Sequence, residues 1–180
     1  MKTISLTALI ILFSIGCSKD PMEEDPGDIK KEGTTIEVSG SLTLVALPNS
    51  GGIDCAPDGS SARNYILNGT VTGIGQLVTD KSSNTITVCN YSASSGIYTG
   101  TSSSKWVFAP GDTLFLENFI TGPVQIAAQT GKITGTYSGN DRVVGGTGKY
   151  KDADGSLTNT GGKIDGLISS HTFIGKVIIF

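Results

Sequence analysis

A chain of 180 residues with net charge −3 has room for one domain and a leader, and it lacks the basic surplus expected of a nucleic-acid binder. Glycine contributes 25 residues, and Ser and Thr are abundant while helix-forming runs are scarce. That composition excludes a helical bundle and favours strands joined by turns.

Lys2 opens the chain with a positive charge, and Leu6 to Ile15 follows as a short, mainly apolar stretch. It falls below the roughly 20 residues needed to span a bilayer, and it has the order of a secretory signal. The stretch ends in Ser14-Ile15-Gly16-Cys17, which resembles the bacterial lipobox. The resemblance implies cleavage after residue 16, lipidation of Cys17 with acyl chains such as palmitate, and a firm anchor, because two or more chains hold where one does not. It also implies a location in the cell envelope. The protein would be lipid-anchored to a bacterial membrane, on the periplasmic or surface-exposed side where that is the outer membrane, and the sequence leaves inner and outer membrane both open.

Residues 17–33 carry six acidic side chains against Lys19, Lys30 and Lys31, with Pro21 and Pro26 among them. This composition is that of a flexible acidic tether. The expected division is therefore a signal peptide over 1–16, the lipidated Cys17 and tether over 17–33, and a β domain over 34–180. The last segment has nine Lys plus Arg against ten Asp plus Glu, so it is close to neutral.

Thr35 to Leu47 alternates, with Ile36, Val38, Leu42, Leu44 and Ala46 on one face, and predicts a half-buried strand. Pro48 to Gly52 ends it, and Ile53 to Arg63 reads as loop. Cys55 in that loop and Cys89 farther on are the cysteines left once Cys17 is assigned to lipid. An oxidising compartment favours a disulfide between them, worth ~3–4 kcal/mol in the loop-entropy account. With one histidine and no Cys-x-x-Cys spacing, no metal site and no cofactor are expected.

Further strands are predicted at 64–73, 84–91, 97–101 and 105–109, the last two separated by a serine run. Others are predicted at 113–120, 124–130, 132–138, 156–160, 163–168 and 171–180. Many short strands with regular turn signals argue for a sandwich or a closed barrel. The last one is apolar on both faces: Phe173, Val177 and Ile179 on one, Ile174, Ile178 and Phe180 on the other. Left open, such a strand is an aggregation edge, so closure against the first strand is favoured.

Gly145-Gly146-Thr147-Gly148-Lys149-Tyr150, continuing to Ala153 and Gly155, resembles the glycine-rich segment of the allene oxide cyclase and dirigent barrel superfamily. Pro110-Gly111-Asp112-Thr113-Leu114-Phe115 is weakly similar to a strand start of the same family. The resemblance implies an all-β, closed antiparallel barrel of about eight strands, calycin-like. The glycines would make a tight turn, Tyr150 would plug one end, and Ala153 and Gly155 would lead into the next strand. This segment reads as structural, since no Walker-type Lys-Ser/Thr pair or long following helix accompanies it.

For chemistry, Glu117 shares a face with Phe115 and Phe119, and a carboxylate among aromatic rings is a candidate general acid. The competing reading buries Leu114, Leu116 and Ile120 and leaves Glu117 in water. His171 shares a face with Phe173 and Val177, either as a titrating lumen group or as a strand-end residue with a satisfied hydrogen bond. Trp106, Tyr137 and Arg142 are candidates for a pocket mouth. The preferred function is a non-catalytic binding or scaffold module whose partner is a small apolar ligand or an envelope protein. The alternatives are an isomerase or cyclase of an apolar substrate, as the cyclase resemblance implies, with Glu117 as acid, and an adhesion or envelope-structural module.

Overall fold

Alternation of apolar and polar side chains runs along most strands, and it decides which way each one faces. The computed structural model describes residues 32–47, 63–126 and 133–180. The signal segment 1–16, Cys17, the tether as far as residue 31, and Cys55 lie outside the described residues.

The strands are β1 (Thr34–Ala46), β2 (Arg63–Thr72), β3 (Gly75–Gln76), β4 (Ser83–Ser92), β5 (Ile97–Val107), β6 (Thr113–Ile126), β7 (Ile133–Thr147), β8 (Asp154–Asp165) and β9 (Ile168–Ile179). All pairings are antiparallel. The order is β1-β9-β8-β7-β6-β5-β4-β2-β3, and β1 also pairs with β2. Eight strands thus close into an up-and-down ring, with the two-residue β3 appended to β2.

Closure runs through β1. Its Thr34–Val45 pairs with Ile168–Ile179 of β9, and its Ser39–Ala46 pairs with Tyr65–Thr72 of β2. The last strand, apolar on both faces, is therefore paired on both sides, by β1 and β8. Register shifts in four pairings, at Ile86/Val88, Leu114/Leu116, Tyr137/Gly139 and Thr160/Lys163, supply bends of the kind a sheet needs to curl.

The strands are fewer and longer than the sequence predicts. Segments 97–101 and 105–109 are one strand, β5, because Ser102 and Ser104 are buried inward-facing residues rather than a loop. Gly122-Pro123 does not end β6, since Pro123 sits opposite Ile97, the first residue of β5, where that ladder finishes. Segments 156–160 and 163–168 likewise merge into β8 up to Asp165, with a bulge between Thr160 and Lys163.

One end of the interior is apolar and close-packed. Trp106 and Phe173 meet with ring centroids 5.2 Å apart, and Phe108 and Tyr150 at 5.8 Å. Val71, Leu114, Leu116, Val143, Leu157 and Val177 fill the space around them at 0–1% exposure. The glycine-rich segment belongs to this end. Gly145, Gly146 and Thr147 continue β7 rather than turning, and the turn is the 3₁₀ element Gly148–Tyr150. Gly148 takes φ +59°, and a Cβ there would run into the Asp112 side chain. Tyr150 is fully buried, Ala153 is buried beside it, and Gly155 lies in β8.

Candidate functional site

Above the apolar end, the interior becomes polar. Alternation places Asn84 of β4, Ser102 and Ser104 of β5, Asn118 of β6, Asp141 of β7 and Asn159 of β8 on the inward face, so five consecutive strands contribute to one belt. Asn84 stands opposite Ser104, Ser102 opposite Asn118, and Asn118 opposite Asp141.

The belt is hydrogen-bonded along its length. Asn84 Nδ2 donates to Ser102 Oγ at 2.9 Å and Ser104 Oγ at 2.8 Å. Those hydroxyls donate to Asn118 Oδ1 at 3.3 and 2.9 Å. Asn159 Nδ2 donates to Asp141 Oδ1 at 2.7 Å. Burial pushes the Asp141 carboxyl up to about 6, while hydrogen bonds from Asn118 and Asn159 pull the other way.

A cavity of about 50 Å³ opens onto this belt. Its wall includes Asn84, Ser102, Ser104, Asn118 and Asn159 on the polar side, and Leu42, Leu67 and Ile120 on the apolar side. Trp106, Tyr65, Tyr98, Tyr137 and His171 also line it. His171 Nδ1 and the Tyr137 hydroxyl are 2.8 Å apart, and that hydroxyl is also 2.9 Å from Ser169 Oγ. Burial lowers the His171 pKa to about 4, so the ring is neutral near pH 7. Burial raises Tyr137 to about 12 and Tyr98 further still.

Several polar atoms in this region are buried without a hydrogen-bond partner: Tyr98 Oη, Trp106 Nε1, Asn159 Oδ1 and His171 Nε2 on the wall, and Asp141 Oδ2 behind it. An unpaired buried polar group costs about 1–3 kcal/mol, so a concentration of them in one place calls for an occupant.

Glu117 takes no part. It is exposed on the outside of β6, opposite Arg142 of β7, with Phe115 and Phe119 outward beside it. The buried face of that strand carries Leu114 and Leu116, so a lumen-facing acid at 117 is corrected to a surface residue. Arg142 is exposed as well and is absent from the cavity wall. His171, Trp106 and Tyr137 do meet at the cavity. Asp141, which the sequence reading passed over, is the acid in the interior. It falls in step with Tyr137 and Val143 at a spacing of two, and that phase was the signal available.

Cys89 is buried at 1% exposure, while its expected partner Cys55 lies outside the described residues. Among the described residues, no group of three or more His, Cys, Asp or Glu side chains could hold a metal ion, and no helix is long and apolar enough to cross a membrane. No known protein family, curated protein or solved structure matches this chain.

Proposed function

We infer that this chain is an exported bacterial lipoprotein, anchored in the cell envelope through Cys17, whose closed β domain is a non-catalytic module that holds a small molecule inside the ring. In this reading the domain is a barrel of the allene oxide cyclase and dirigent kind. The sequence Ser14-Ile15-Gly16-Cys17 supports the anchor. A Gly148 turn leading to a fully buried Tyr150 is compatible with the family turn and plug. A disulfide from Cys89 to Cys55 fits the same oxidising compartment, and alkylation of two extra thiols only after reduction is its test.

The observation that carries the binding role is the cavity of about 50 Å³ whose wall presents buried polar atoms without partners. The cyclase alternative loses its support: its acid, Glu117, faces solvent, and the cavity is far smaller than the roughly 150 Å³ that accepts benzene, let alone a fatty-acid chain.

The anchor is tested by feeding cells a labelled fatty acid. The chain takes up label and sediments with membranes, and Cys17→Ala loses both; a C17A chain that stays labelled and membrane-bound contradicts the anchor. Small molecules released by denaturing the purified protein, read by mass spectrometry, test the binding role.

One feature favours the adhesion or envelope-structural alternative. Val45 and Ile168 face each other across β1 and β9, both about half exposed at 44% and 52%, with Leu167 at 60% beside them. That is an apolar patch at the rim. If this patch docks, a C17A chain loses its label yet still sediments with the envelope, and Leu167→Lys with Ile168→Lys releases it; a C17A chain that is released outright counts against docking.

A further inference from the structure

Four unpartnered polar atoms on the cavity wall define what can sit there: Asn159 Oδ1 from β8, Trp106 Nε1 and Tyr98 Oη from β5, and His171 Nε2 from β9. Their residues are 1%, 1%, 2% and 9% exposed, so bulk water does not serve them.

The chemistry of these atoms restricts the occupant. An indole N–H only donates, and an amide oxygen only accepts. An occupant that meets both presents an acceptor and a donor. The hydroxyl of Tyr98 and the second nitrogen of His171 can each play either part, so they add capacity without changing that requirement.

Charge is restricted too. The histidine is neutral near pH 7, and no Lys, Arg, Asp or Glu is on the cavity wall. Asp141 is off the wall and accepts a hydrogen bond from Asn159 Nδ2. The buried Arg63 lies over the Tyr65 ring at 5.7 Å but off the wall, so an ion entering would give up its hydration with no counter-charge in direct contact. The volume of about 50 Å³ then limits the occupant to a few heavy atoms.

The geometry points to a small uncharged molecule with a hydrogen-bond donor and an acceptor, of the primary-amide class, held between Asn159 and Trp106. This rests on the reading of the ring as a binding module and narrows its small molecule to a polar one.

Trp106 is the only tryptophan in the chain, so its indole N–H gives one resonance from inside the cavity. The full chain, ¹⁵N-labelled in detergent, is titrated separately with acetamide, benzene, acetate and methylammonium. Acetamide moves the indole resonance saturably, while acetate and methylammonium do not. Tyr98→Phe, which removes one unpaired hydroxyl and little volume, weakens acetamide about 3- to 10-fold. A saturable response to benzene with none to acetamide overturns the polar class and leaves the binding module standing. A saturable response to acetate or methylammonium overturns the uncharged class. An indole N–H that answers to none of the four, and shows cross-relaxation only to water, overturns both readings, because the cavity then holds solvent alone.

Discussion

The two halves of the ring's interior are built on opposite rules. Around Phe173, Phe108 and Tyr150 the residues are apolar and interlocked, and Trp106 stands at the boundary, packed on Phe173 and lining the cavity. One layer away, Asn84, Ser102, Ser104, Asn118, Asp141 and Asn159 hold one another by hydrogen bonds and leave a cavity beside them. The contrast separates two tasks. The packed half excludes water and fixes the strands. The polar half contributes less to stability because its groups trade water for each other at small net gain, and polarity of this kind inside a closed sheet is better suited to recognising something.

The largest effect that tests this contrast belongs to the packed half. Phe173→Ala removes a ring that is 1% exposed against Trp106 and destabilises by about 3–5 kcal/mol in denaturant unfolding. A loss below about 1 kcal/mol would mean that this end is not the structural half.

Next come the two titrating groups of the polar half, which oppose each other. Asp141 has its folded pKa raised from 3.8 to about 6 by burial. Its favourable contribution is complete below the unfolded value and is lost as pH rises through 6, an effect of about 3 kcal/mol. His171 has its pKa lowered from 6.5 to about 4, again by burial. Its contribution is present above 6.5 and is lost as pH falls through 4, also about 3 kcal/mol. Between pH 4 and 6.5 the two nearly cancel, so the intact protein is close to flat in that window. Asp141→Asn leaves the histidine alone, and stability then falls on acidification. His171→Gln leaves the aspartate alone, and stability then rises. Unfolding free energies measured at pH 4.5 and 6.5 separate the three slopes, and parallel slopes would deny that both groups are buried.

Smaller again, Gly148→Ala costs about 1–2 kcal/mol, because φ +59° disfavours a Cβ and Asp112 occupies its place. Smallest of all, Glu117→Gln changes thermal stability by less than about 0.5 kcal/mol, as befits a surface position. A loss above 2 kcal/mol there would restore Glu117 to the interior.

The contrast also accounts for what could be read from the sequence. The packed half obeys the rule that apolar side chains point inward, and it was legible. Val38 on β1, and Phe173 and Val177 on β9, take the faces that alternation assigns them, and the expected closure of the last strand against the first is present. The polar half breaks that rule. A serine run at 102–104 reads as a gap between strands, and a lone Asp141 between exposed Asn140 and Arg142 reads as one more surface charge. Only the pairing of five strands at one level shows that these residues satisfy each other. That pairing depends on register, which no local pattern in a single strand contains.

The polar interior is shut away from solvent, and the single histidine of the chain measures that seclusion directly. Proton NMR of the His171 ring followed from pH 3 to 8 gives one titration curve with no assignment ambiguity. Seclusion in the ring places its midpoint near 4. A midpoint at or above 6.5 would put the imidazole in open water and contradict the enclosed site.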